Sequence, residues 1–206
     1  MEAGKVIKLN VIRESDIGYL LSDKYHEEEI LLHYNDCGDN KPNVDDKVDA
    51  FLYFDHKKRL AATLLTPKIT VFDCGWVEVI DVVNFGVFLD IGIRKDVLLS
   101  KDDLPLDLDL WPQIGDKLYA YLENDKDKAL LIKLATHSDF LDIKKEAPKE
   151  LYGKKIMVKV YKLGSEGMNV VTDENYLGFI HHTEYKKEVR LGAEIEAKLM
   201  LQIMGK

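Results

Sequence analysis

The sequence predicts an all-β chain of three small, strongly curved barrels in tandem. Three observations carry that prediction. Between Gly75 and Leu134, glycines punctuate apolar runs: Phe85-Gly86-Val87-Phe88-Leu89-Asp90-Ile91-Gly92, then Asp96-Val97-Leu98-Leu99-Ser100, then Gly115-Asp116-Lys117-Leu118. A copy of this order lies upstream, where Val48 to Leu64 repeats Leu118 to Leu134 at a constant offset of 70 residues. A third copy begins near Lys154.

In the middle copy, Gly86 and Gly92 supply positive φ or a tight bend where a Cβ would clash. The residues between them alternate or run continuously apolar, as barrel strands do. Small barrels of this kind commonly present one face to a single-stranded nucleic acid.

Upstream, Val48 to Leu64 aligns without a gap on Leu118 to Leu134. An apolar strand meets a polar turn, Asp55-His56-Lys57-Lys58 or Asp125-Lys126-Asp127-Lys128, and a second strand follows. Ile17-Gly18-Tyr19-Leu20 stands where Phe85-Gly86-Val87-Phe88 stands, and Leu31-Leu32-His33 where Leu98-Leu99-Ser100 stands.

In the third copy, Gly178-Phe179-Ile180-His181 matches Val97 to Ser100, and Leu191-Gly192-Ala193-Glu194-Ile195 matches Ile114 to Leu118. Lys206 then falls in the place of Ala129, and nothing matches Leu130 to Leu134. A barrel without its last strand has an open edge. The expectation is a native chain that continues beyond Lys206, or another segment covering the edge. The domains are placed at 1–66, 71–137 and 152–206. Units of roughly 55–65 residues lie near the lower size for independent folding, so packing between neighbours is expected.

The short apolar linker Thr66 to Asp73 predicts a fixed junction. In the longer linker, Ser138 or Asp139 is expected to cap a short helix whose Phe140, Leu141 and Ile143 pack on a barrel, with Pro148 ending it.

With these landmarks in order, the middle copy resembles the S1-type RNA-binding domain, a five-stranded oligonucleotide-binding (OB) barrel. The whole chain resembles the conserved virulence factor B family, which carries three such domains in tandem followed by a winged-helix domain. The resemblance implies RNA binding and post-transcriptional control in bacteria. It also implies that the winged-helix part is absent from this sequence.

Composition fits a cytoplasmic protein. No apolar run is long enough for a membrane span, and Met1-Glu2-Ala3-Gly4-Lys5 has no apolar signal core. Two cysteines, Cys37 and Cys74, make no disulfide framework or metal motif. The net charge is −8, from 29 basic and 37 acidic residues, which argues against simple polyanion attraction. The charge is uneven. Residues 1–70 hold 10 basic and 13 acidic side chains, 71–140 hold 7 and 14, and 141–206 hold 12 and 10. A local basic face can coexist with the acidic middle, because surface fields decay over about 10 Å in ordinary salt.

An OB barrel stacks bases on aromatic rings while cations track the phosphates. The resemblance puts Phe85 and Phe88 on the binding face. Strand alternation alone sets residues three apart on opposite sides, so they share a face only if Gly86 bends the chain; otherwise one is core. Ser100 occupies the place of the family's usual histidine. Asp125 matches its aspartate, and its usual arginine has no clean equivalent, with Lys128 and Lys133 the nearest cations. The other domains keep histidines, His33 and His181, which are either contacts or structural residues at strand ends. The first adds Tyr19, and the third has no ring between Gly164 and Asn169. The third is expected to supply phosphate contacts through Tyr185, Lys186, Lys187 and Arg190.

No catalytic motif emerges. There is no phosphate-binding P-loop, zinc spacing or nucleophile elbow. His181 and His182 are adjacent and, on a strand, would point to opposite faces. Asp102, Asp103, Asp107 and Asp109 lack the glycine and terminal glutamate of a calcium loop. No catalytic residue, metal or cofactor is assigned. The expected function is non-catalytic binding of single-stranded RNA, with ribosomal or RNA-decay proteins as further partners and no membrane. The alternative is a protein-interaction adaptor built from degenerate barrels.

Overall fold

The computed structural model describes residues 1–23, 28–39 and 41–200. Strands β1 (Val6–Ser15), β2 (Gly18–Ser22), β3 (Ile30–His33), β4 (Lys47–Phe54) and β5 (Leu60–Thr63) close a barrel in the order β1-β2-β3-β5-β4. Strands β6 (Gly75–Val83), β7 (Gly86–Asp90), β8 (Val97–Ser100), β9 (Lys117–Asp125) and β10 (Ala129–Leu134) close a second, β6-β7-β8-β10-β9. Strands β11 (Lys155–Gly164), β12 (Gly167–Val171), β13 (Leu177–His181) and β14 (Glu194–Lys198) form a four-stranded sheet, β13-β12-β11-β14. This is the same order without a fifth strand among the described residues.

Two local devices curl each sheet. The long first strand skips one residue against its neighbour, between Val11 and Arg13, Val79 and Asp81, and Val160 and Lys162. Such bulges bend a strand and increase its twist. A glycine then opens each second strand. Gly86 has φ +151°, and a Cβ there would lie 2.2 Å from the Leu99 carbonyl oxygen. Gly18 and Gly167 repeat the device, 2.1 Å from the Leu32 and Ile180 oxygens. Only glycine lets the two backbones approach so closely.

Alternation fills the barrels. Leu118, Ala120 and Leu122 of β9 are buried between half-exposed Tyr119 and Tyr121. The first two barrels also share core: Phe51, Ala3 and Ile69 join the cluster of the second. The linker between them is fixed, as expected. Leu122 N donates to Thr70 O at 3.0 Å, and Val71 N to Gly4 O at 2.9 Å. From the second barrel, Arg94 Nε donates to Asn35 O at 2.7 Å and the Lys95 ammonium to Phe54 O.

The linker to the third domain contains α1 (His137–Ile143), the one α-helix among the described residues. Its cap is Thr136, not Ser138 or Asp139. The Asp139 carboxylate instead reaches back, accepting from Thr136 N at 2.6 Å and its hydroxyl at 2.8 Å. Phe140 is buried between Tyr119 of the second barrel (5.0 Å) and Tyr161 of the third sheet (3.8 Å), while Leu141 faces solvent rather than a barrel. The helix stops at Ile143, ahead of Pro148. The acidic stretch forms two 3-10 turns, Lys101–Asp103 and Leu108–Leu110.

Candidate nucleic-acid interface

In each domain the second and third strands lie side by side, and alternate residues point away from the core. Register gives corresponding rows across the first three strands. They are Arg13–Leu20–Leu31 in the first domain, Asp81–Phe88–Leu98 in the second and Lys162–Asn169–Phe179 in the third. One step on, glycine faces the end of the third strand: Gly18–His33, Gly86–Ser100 and Gly167–His181.

The middle domain brings Phe85 and Phe88 together. Phe85 lies in the turn before β7 and is 48% exposed, and Phe88 is half-buried. Their rings meet edge to face at 6.2 Å and 89°. The bend at Gly86 therefore overrides simple alternation. This pair offers an apolar platform for a nucleobase. Asp81 stands beside Phe88 and opposes phosphate there.

Ser100 is occupied as a cap. Its hydroxyl accepts from Asp102 N at 3.3 Å. The histidines do the same work: His33 Nδ1 accepts from Asn35 N at 3.1 Å, and His181 Nδ1 from Thr183 N at 3.4 Å. Capping fixes the ring through Nδ1 and leaves Nε2 for a ligand. The structural and functional readings of these histidines are thus compatible.

Several expected contacts are placed differently. Tyr19 is 6% exposed, lies in the core of the first barrel and meets Tyr34 edge-on at 5.4 Å. It occupies the inward position of Val87, so it cannot stack a base from solvent. Arg190 is also committed: its Nε and Nη2 grip both carboxylate oxygens of Asp116 at 2.7 and 2.9 Å. That bond raises the guanidinium's pKa and ties the third sheet to the second barrel. Tyr185 packs half-buried on the third core. Lys133 pairs with Asp103 at 2.9 Å. Asp125 accepts from Lys126 N at 2.7 Å, and Lys128 is exposed in the turn with φ 57°.

Lys186 and Lys187 are exposed and have no ion pair among the described residues. His181 and His182 do not diverge. His182 opens a 3-10 turn, and the rings lie 4.2 Å apart. Phe179, 53% exposed, lies 6.5 Å from the His181 ring. The third domain therefore has an exposed aromatic ring on the third strand, opposite Asn169, which replaces Phe88. Alignment with Leu98, an outward position, was the signal for it.

A second missed pair lies in the first domain. Asp55 accepts from Arg59 Nε at 2.9 Å and Nη2 at 2.7 Å. Desolvation pushes this carboxyl up, but hydrogen bonds from Arg59 and Lys57 outweigh it and hold it below the usual range. The aspartate and arginine lacking together in the middle turn are thus present in the first. Among the described residues, no three His, Cys, Asp or Glu side chains cluster as a metal site.

Three family descriptions match successive parts of the chain: an S1 domain over residues 3–65, the CvfB first S1-like domain over 74–133, and the second domain of virulence regulatory factor CvfB over 140–202. Protein YitL of Bacillus subtilis is 36% identical over 201 residues, which are 97% of this chain and 66% of that protein. Conserved virulence factor B of Staphylococcus epidermidis is 29% identical, across 96% of this chain and 66% of its own length. The chain thus spans just under two thirds of these relatives. A crystal structure from Streptococcus pneumoniae, described as a multidomain protein with nucleic acid binding domains, superposes with a TM-score of 0.83 at 32% identity. The match covers 96% of this chain and 69% of that one. With the repeated barrel order, the paired phenylalanines and these matches along its length, the chain belongs to the conserved virulence factor B family.

Proposed function

We propose that this protein binds single-stranded RNA without catalysing a reaction on it, as a post-transcriptional regulator in the bacterial cytoplasm. The observation that carries this reading is the Phe85–Phe88 pair on the outer face of an S1-like barrel, with Phe85 exposed and Phe88 half-buried. Lys186 and Lys187 supply free cations on the third domain, the one part of the chain with a basic balance. RNA is favoured over DNA by the S1 likeness, and the 2′-hydroxyl is the group that distinguishes them. Ribosomal or RNA-decay proteins are the natural partners of such a regulator.

Fluorescence anisotropy with a labelled mixed-sequence RNA tests the reading. Affinity should fall steeply with salt through counterion release. Phe88→Ala should weaken it about 5- to 150-fold, the equivalent of ~1–3 kcal/mol for one stacked base. Lys186→Ala/Lys187→Ala should flatten the salt dependence. The same sequence in DNA should bind less tightly.

The second reading is a protein-interaction adaptor. Its support is the acidic middle domain, Asp81 beside Phe88, and the solvent-facing Leu106 and Leu108. Absence of RNA binding even at low salt would favour it.

A further inference from the structure

In each domain the bulge in the first strand sets one side chain directly opposite the middle of the second strand. That side chain is Arg13 in the first domain, Asp81 in the second and Lys162 in the third, facing Leu20, Phe88 and Asn169. Two of the three are cations, as suits a strand that runs beside phosphates. Arg13 is held by Glu29 at 2.8 Å, and Lys162 is exposed. The second domain reverses the sign, and it does so beside the phenylalanine pair.

Asp81 is placed to act on whatever rests on Phe88. Side chains directly opposite on one face of an antiparallel pair have their Cβ atoms about 5 Å apart. Asp81 is exposed and has no ion pair among the described residues. Its Oδ1 accepts from Val82 N at 2.9 Å. That bond orients the carboxylate and leaves lone pairs on both oxygens. The other neighbours of the ring have less to give. Leu98, on the far side of Phe88, is apolar. The Ser100 hydroxyl is engaged with Asp102, and the Lys133 ammonium with Asp103.

We propose that Asp81 reads the edge of the base stacked on Phe88 and selects guanine, an inference that rests on the RNA reading above. A carboxylate accepts hydrogen bonds and donates none. It repels phosphate, but it can select among bases by their donors. A base lifted from its neighbours onto an aromatic ring offers its Watson–Crick edge for this. Guanine has two adjacent donors there, N1–H and the N2 amino group, which match the two oxygens of one carboxylate. Adenine and cytosine each set an acceptor beside a single amino donor. Uracil sets its N3–H between two carbonyl oxygens. Guanine alone meets both oxygens without an opposing lone pair, and the resulting bonds are charge-assisted and bidentate. The same side chain thus weakens general attraction to the backbone and adds discrimination at one base. The cation at this position in the third domain leaves that face to phosphate contact.

Fluorescence anisotropy of the 206-residue chain tests this with short labelled RNAs, uridine throughout except for one central position. Guanosine there should bind roughly 5- to 150-fold more tightly than adenosine or uridine. Inosine, which keeps N1–H and lacks the N2 amino group, should fall between. Asp81→Asn puts a donor beside one acceptor and should abolish the preference. Its affinity for the all-uridine RNA should hold or rise, because a negative charge has gone. Equal binding of guanosine and uridine RNAs by the wild type would overturn the proposal and leave the RNA reading standing. A guanosine preference that survives Asp81→Asn would overturn it too, as would a variant that weakens every RNA alike. Failure of every RNA to bind at low salt would overturn the RNA reading and this proposal with it.

Discussion

At the end of each third strand, one side chain caps the turn that follows: His33, Ser100 or His181. The position accepts a backbone N–H, which serine and histidine can both do, so residue type alone does not separate a cap from a ligand. Tyr19 shows the same limit differently. An aromatic side chain in an OB barrel reads as a stacking ring, but its parity with Val87 sends it inward, and parity decides. Asp36 has the clearest titration consequence. It is 6% exposed, and burial raises its pKa despite the opposing bond from Tyr53. A carboxyl with a raised folded value stabilises the fold most when protonated, and this contribution is lost as pH rises through that value. Asp36→Asn should therefore raise the melting temperature of the 206-residue chain at pH 7, by about 2–4 °C for ~1 kcal/mol. The gain should vanish below about pH 4, where the wild-type carboxyl is also neutral. A melting temperature lowered at pH 7 would contradict this.

The strands were legible because glycine and alternation act locally. Gly18, Gly86 and Gly167 recur at one structural position, each beneath an opposing carbonyl. Gly86→Ala would place a Cβ 2.2 Å from Leu99 O at positive φ, in conflict with backbone that cannot swing away. It should cost about 1–3 kcal/mol of stability and separate the Phe85 and Phe88 rings, read as a lower unfolding midpoint in urea. An unchanged midpoint would remove the glycine from the account. Helix α1 was legible from its polar start and apolar face. Its cap was not, because Thr136, Ser138 and Asp139 all have capping side chains, and only the backbone chooses among them. The strands of the third sheet followed from landmarks shared with the second copy, Gly178 to His181 for Val97 to Ser100 and Leu191 to Ile195 for Ile114 to Leu118. The outward Phe179 was missed because the search for rings stayed on the second strand, whereas the face is built from two.

Across the whole molecule, the domains are joined by contacts that sequence spacing does not specify. Arg190 was read as a phosphate ligand because it lies in a basic segment. Its bidentate bond to Asp116, 74 residues away, depends on how the third sheet docks, which no local pattern encodes. Gly192, whose Cβ would sit 3.0 Å from Leu118, and Leu191, bonded to Leu110 O, complete that junction. Arg190→Ala should loosen it, costing about 1–3 kcal/mol for a charge-assisted bond and raising hydrogen exchange around Asp116 and Leu191. RNA affinity should change less than with Lys186→Ala/Lys187→Ala. A larger affinity loss in Arg190→Ala would return Arg190 to the binding face. The domain-by-domain charge imbalance was readable from composition; the pairing of Lys133 with Asp103 required the fold.

The most direct test of the account is a ¹H–¹⁵N NMR titration of the chain with a short single-stranded RNA. Shifts should concentrate at Phe85, Phe88 and Leu98 of the middle face, with a second group at Phe179, His181, Lys186 and Lys187. Tyr19 and Arg190 should stay still. Shifts confined to the acidic loop from Asp102 to Asp109, or none at saturating RNA, would contradict the placement of the nucleic acid on these strands.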